Sequence, residues 1–182
     1  MTWYQLFKGI HVMAAVVWVG GALFSSVLGA RIARTNDGPR MAGFSGDIEH
    51  IGMRLFLPAS FLLVLTGTAM MLNGDLDWGQ LWVDYGLAIW LLGFVLGIGY
   101  FGPQTGQLKT LIEEEGPDSP VVKERIRQIL TVSHLELVLL LGVVWAMAVK
   151  PSTDHPWWLA AYTVVLVAAL VAVARPLFSK PS

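Results

Sequence analysis

Five stretches of this chain, at residues 7–30, 51–73, 83–106, 128–149 and 156–175, are nearly unbroken runs of apolar side chains. Each is close to the roughly 20 residues an α-helix needs to cross the hydrocarbon core of a bilayer. The expected fold class is therefore all-α, a polytopic membrane helix bundle with a four-helix core and a fifth, C-terminal transmembrane helix. We read residues 1–182 as one membrane domain, with residues 1–151 as the four-helix core and 152–182 as the extra helix and a cytoplasmic tail.

Composition agrees with this reading. The chain is 55% hydrophobic and only 14% charged, where a soluble domain carries about a quarter charged residues. It has no cysteine, which excludes disulfides and thiolate metal sites. A formal net charge of -1 argues against bulk nucleic-acid binding. The first apolar run is too long for a signal peptide and no A-x-A-like cleavage site follows it, so it is expected to be a retained helix.

Four polar connections separate the runs: 31–40, 73–79, a long loop from Gln107 to Gln128, and 150–156. The fourth helix is expected to begin ahead of the membrane, because charges alternate from Val121 to Gln128 after a helix start at Pro120. Arg31, Arg34, Arg40, Lys109, Lys123, Arg125, Arg127, Arg175 and Lys180 all fall on one side, and only Lys8 and Lys150 on the other. The positive-inside rule then puts the amino terminus outside the cytoplasmic membrane and the carboxyl terminus in the cytoplasm. Trp3, Tyr4, Trp78, Trp82, Trp157 and Trp158 gather at the outer boundary as an aromatic belt. His155 belongs to the last outer connection.

Polar side chains inside the apolar runs are the candidates for function, because each needs a partner in hydrocarbon. His11 lies near the outer edge of the first run. His50, Arg54, His134 and Glu136 come together in depth on the inner side. Neutral imidazoles from packed helices can hold a haem iron and an arginine can neutralise a propionate. His50 and Arg54, four residues apart, share a helix face; the plain structural reading is that both reach water or lipid phosphate. His134 and Glu136, two apart, point in different directions. Glu136 is costly to ionise in a Leu-rich helix, so it is protonated, paired with Arg54, or part of a proton path. With about 30 Å between the faces, His11 cannot share one iron with His50 or His134.

On the outer side His11 shares its depth with Met13, Met70, Met71 and Met147. Thioether and imidazole together suit Cu(I), and a His/Met pair equally suits a haem. Packing is the commoner use of such methionines. Thr66-Gly67-Thr68 and the glycines at 93, 97, 99 and 102 are expected to be helix contact faces, and Pro58 to kink the second helix. Glu113, Glu114 and Glu115 read as a solvated loop. The chain has no Walker loop, GxSxG elbow or HExxH zinc pair.

Lys8-x-x-His11 followed by Val17-Trp18-Val19-Gly20-Gly21 resembles the first helix shared by HemJ-type protoporphyrinogen oxidases, CopD copper-resistance membrane proteins and the DUF2269 membrane proteins. Met53-Arg54-Leu55 through Pro58-Ala59 to Thr66-Gly67 resembles their second helix, and Glu136 with Val149-Lys150-Pro151 their last shared one. The resemblance covers about residues 5–151 and is strongest to DUF2269. It implies a four-helix core whose first-helix histidine ligates haem, as in the HemJ-like branch, or handles copper, as in the CopD-like branch. HemJ proteins carry a lysine early in the third helix, and residues 84–102 here hold no lysine or arginine. The haem-binding bundle therefore carries over in preference to protoporphyrinogen oxidation itself.

The first reading is thus a haem b-binding membrane protein in electron transfer or porphyrin-related redox chemistry. His11 would ligate iron near the outer face, His134 with His50 would form an inner site, Arg54 would hold a propionate and Glu136 a proton. The expected partners are the lipid bilayer, a quinone, porphyrin or other redox partner, and a second copy of the chain. Two other readings stay open: copper transport or resistance through His11 and the four methionines, and a cofactor-free accessory membrane subunit.

Overall fold

The computed structural model describes residues 2–35, 37–74, 76–152, 154 and 156–178. Asp75, His155 and Lys180 lie outside the described residues, as do the side chains of Trp158 and Arg175. Five helices and no strand occur among the described residues: α1 (Trp3–Ala33), α2 (Gly38–Asn73), α3 (Leu81–Glu115), α4 (Pro120–Val149) and α5 (Pro156–Phe178). The fold is an all-α helix bundle. The first four helices are long and apolar enough to cross a membrane, and α5 carries a shorter apolar run, Leu159–Ala174.

The ends are set by local chemistry. Thr2 caps α1 in a reciprocal capping box with Gln5. Asp37 accepts the Arg40 N–H at the start of α2, and Ser119 accepts the Val121 N–H ahead of Pro120 in α4. Gly116, at φ 82°, ends α3, and Lys150, at φ 52°, ends α4 with its ammonium 4.9 Å from the Trp82 ring centroid.

The start of α4 at Pro120 agrees with the sequence expectation, whereas the long loop expected from Gln107 does not form. α3 stays helical to Glu115, leaving only residues 116–119 as a turn, and Glu113 to Glu115 are exposed on its last turn. Likewise α2 starts at Gly38, well before its apolar run. The reason is amphipathicity. Leu108, Leu111 and Ile112 recur at three- and four-residue spacing on α3, as do Val122, Ile126 and Ile129 on α4, so each polar extension keeps one apolar stripe. With Ile32 of α1 and Met41 and Phe44 of α2 these stripes close a small core, in which Val122 is 0% and Leu108 3% exposed. At 1.5 Å per residue, the 36 residues of α2 span about 54 Å, far more than the hydrocarbon thickness. The four membrane helices therefore continue past one face of the bilayer as a capping bundle with its own core.

α1 packs between α2 and α4, and α3 lies against α4 and α2. α5 packs on the outside of α4, where Tyr162 stacks on Trp145 at 4.4 Å and meets Tyr85 edge-on over Gly142. Polar contacts tie the spans together: Ser26 and Ser133 hydroxyls at 2.5 Å join α1 to α4, and the Trp90 indole donates to the Ser60 carbonyl at 2.9 Å, joining α3 to α2.

Two helices each contain one π-helical turn, Gly52–Phe56 in α2 and Gly97–Phe101 in α3. A proline follows each two residues on, Pro58 and Pro103, so both segments read G-x-x-x-F-x-P. Proline has no N–H and its ring collides with the carbonyl four residues back. The wider π turn, in which Leu57 and Gly102 bond the carbonyls of Gly52 and Gly97, opens that position. At Pro58, the site of the expected kink, the helix thus carries a π turn. Gly97 and Gly99 have open space where a Cβ would stand, so they serve this turn and not a helix contact. Of the expected glycine face, Gly93 alone lies against a neighbouring helix.

Candidate functional site

His11 projects from α1 onto α2. Its Nδ1 lies 3.0 Å from the Leu63 carbonyl and 3.1 Å from the Thr66 hydroxyl, and Gly67 leaves room for the ring beside them. A carbonyl only accepts, and Thr66 already donates to the Leu62 carbonyl at 2.5 Å. Nδ1 must therefore carry the proton, which leaves the lone pair of the neutral imidazole on Nε2. The Thr66-Gly67 face expected for helix packing is the seat of this histidine.

Seven residues deeper on the same face of α1, Trp18 meets α3 at Gly93. A Cβ there would come within 3.0 Å of the Trp18 ring and 3.4 Å of Glu136 Oε1. Residues Val122, Ile126, Ile129, Ser133, Glu136 and Leu140 of α4 alternate spacings of four and three, the pattern of one interior stripe. Ser133 bonds Ser26 and Leu140 is 0% exposed, so Glu136 belongs to the bundle interior. It makes no hydrogen bond or ion pair among the described residues, and the ion pair expected with Arg54 does not form.

His134 stands off that stripe. Its Nδ1 lies 2.5 Å from the Leu130 carbonyl one turn back, which again leaves Nε2 with the lone pair. His134 and Glu136 point apart, as their spacing requires. His50 and Arg54 are both exposed on α2, separated by the start of the π turn, and neither has a hydrogen bond or ion pair among the described residues. The inner group His50, Arg54, His134 and Glu136 is thus joined by no hydrogen bond or ion pair.

Of the four methionines, Met71 and Met147 come together. Met13 is 72% exposed. Met71 is buried with Trp82 and Val83, Met147 packs against that same cluster with its methyl over Gly86, and Met70 is half-buried on α2. Among the described residues no group of three or more His, Asp or Glu side chains is placed to hold a metal ion. Sequence reasoning missed the Ser26–Ser133 pair and did not bring Trp18 and Gly93 together with Glu136. The regular stripe from Val122 to Leu140 was the signal that could have found the interior position of Glu136.

A bundle of long apolar helices, carrying a histidine and a carboxylate among its buried faces, defines an all-α integral membrane protein. The chain belongs to the DUF2269 family of predicted integral membrane proteins, whose family model matches residues 5–151. The match includes the four core helices from His11 to Lys150 and leaves α5 outside. No curated protein and no solved structure matches the chain.

Proposed function

We propose that this protein binds haem b in the cell membrane and takes part in electron transfer or porphyrin-related redox chemistry. The observation that carries the reading is the fixed imidazole of His11. Its Nδ1–H is held by a carbonyl and a hydroxyl of the neighbouring helix, and Nε2 keeps its lone pair. A metal-binding histidine is usually oriented in this way, with the second ring nitrogen donating to a carbonyl. The donor chemistry therefore fits a haem iron at His11. His134 presents the same tautomer on the flank of α4 and would serve an inner site with His50. Bound haem would supply one-electron chemistry, while the protein sets axial ligand, burial and proton access.

This chain's own residues supply the rest. Thr66 and Leu63 orient the His11 ring. Arg54 offers an exposed cation for a propionate, and Glu136 holds or moves a proton in the interior beside Trp18. The amino terminus faces outward and the basic capping bundle lies in the cytoplasm, by the distribution of arginine and lysine. Because the chain lacks cysteine, single cysteines placed at Thr2 and Ser119 report this orientation directly by labelling with an impermeant thiol reagent. Reagent added outside the cell should reach the first and not the second.

The deciding experiment is an absorption spectrum of detergent-purified protein, oxidised and dithionite-reduced, with iron and copper quantified on the same sample. A Soret band that shifts on reduction, with about one iron per chain or more, is expected, and His11→Ala should remove or shift it. Colourless, iron-free protein from haem-replete cells would overturn the reading. Copper in that sample would then indicate a copper protein, and neither metal an accessory subunit.

A further inference from the structure

An open cleft of about 430 Å³ lies where the end of α1, the start of α2, the turn after α3 and the start of α4 meet. Its rim carries Arg34, Lys123 and Arg127 against one carboxylate, Asp37. That carboxylate is engaged at the N-cap of α2, 3.0 Å from the Arg40 N–H. Lys123 is 3.0 Å from Asp118 and Arg127 2.8 Å from Glu124, whereas the exposed guanidinium of Arg34 has no ion pair among the described residues. Ala30 and Leu130 add an apolar wall to the lining.

The cleft's level is as informative as its lining. Arg127 is the last charged residue before the apolar run of α4, and Arg34 directly follows the end of α1. Ala30 and Leu130 lie about one helical turn from these cations on the hydrocarbon side. The cleft therefore straddles the membrane interface, with cations at phosphate depth and apolar wall at acyl depth. We propose that it binds an anionic phospholipid, with the phosphodiester on Arg34, supported by Lys123 and Arg127, and an acyl chain against Ala30 and Leu130. Guanidinium groups bind phosphate oxygens through paired N–H donors. Basic recesses between membrane helices suit anionic head groups. A free phosphate would make no use of the apolar wall. The inference is independent of haem.

The test is lipid retention by the full-length protein, delipidated in neutral detergent and re-exposed to phosphatidylglycerol or phosphatidylcholine of identical chains, or to inorganic phosphate, with bound lipid read by mass spectrometry. Phosphatidylglycerol should be retained in roughly tenfold preference to phosphatidylcholine, as for one charge-assisted contact. Arg34→Gln should abolish the preference and Arg34→Lys keep part of it, because charge remains and the planar fork is lost. Lys123→Gln should weaken it, and Arg40→Gln, outside the cleft lining, should leave it unchanged. Equal retention of the two lipids would overturn the proposal, as would a wild-type preference in Arg34→Gln. Inorganic phosphate displacing phosphatidylglycerol at equal concentration would assign the cleft to free anions instead.

Discussion

Gly21 and Gly86 look alike in sequence, yet what stands where a Cβ would be separates them. At Gly21 it would come within 2.2 Å of the Phe56 ring, a flat group wedged between α1 and the π turn of α2. At Gly86 the obstacle, at 2.1 Å, is the terminal methyl of Met147, which can swing to another rotamer. Gly21→Ala is therefore expected to destabilise the protein by about 1–3 kcal/mol, the usual cost of overpacking, and Gly86→Ala by less than about 1 kcal/mol. Thermal unfolding of both variants in one detergent checks the contrast. Thr66 gives a finer test of the histidine. Thr66→Val removes one of two acceptors around Nδ1 while Leu63 retains the tautomer. Under the proposed haem reading, affinity for haem should fall roughly tenfold, at the lower end for the loss of an orienting partner. Haem loss to apomyoglobin measures this, and an unchanged rate would show that Thr66 only packs.

At the scale of the helix, the two π turns and their prolines form matched units. A π turn contains one residue more than an α turn, so deleting one residue can close the helix without rotating the segments on either side. Met53, 63% exposed, can be removed from Gly52–Phe56 with little loss of packing. With Pro58 in place the closed turn would drive the ring into the carbonyl four residues back, and the deletion should cost about 3 kcal/mol. The same deletion combined with Pro58→Ala should recover most of that loss. Equal destabilisation in both backgrounds would mean that the π turn answers to something other than the proline. The motif was present in the sequence at both sites. Pro58 marked an irregularity, but its accommodation as a widened turn depends on helix register, which side-chain identity does not specify alone.

For the whole molecule, the capping bundle and the membrane spans have separate apolar cores. Leu108 belongs to the first, and Leu140, fully buried, lies among the membrane spans. Leu108→Ala should cost about 2–5 kcal/mol, and its effect should remain local. Hydrogen exchange is expected to quicken in residues 38–51, 102–115 and 120–128 while the backbone around Leu140 keeps its protection. Exchange that quickens equally in both regions would show a single cooperative unit.

The all-α class, the apolar runs and the start at Pro120 were legible in the sequence because bilayer thickness and capping chemistry act on consecutive residues. So was the need of His11 for a partner, since an imidazole among apolar neighbours cannot remain unbonded at low cost. Hydropathy marks where hydrocarbon begins and says nothing of where a helix ends, so the polar continuations of α2 and α3 were hidden. Their helicity rests on stripes from four helices closing one core. The tertiary structure alone decided that His11 turns to Leu63 and Thr66, that Glu136 faces Trp18 and Gly93 in place of Arg54, and that Met71 and Met147 share one cluster with Trp82 and Val83. Each outcome depends on which neighbouring helix arrives at a given depth and rotation, and that is a property of the packed bundle.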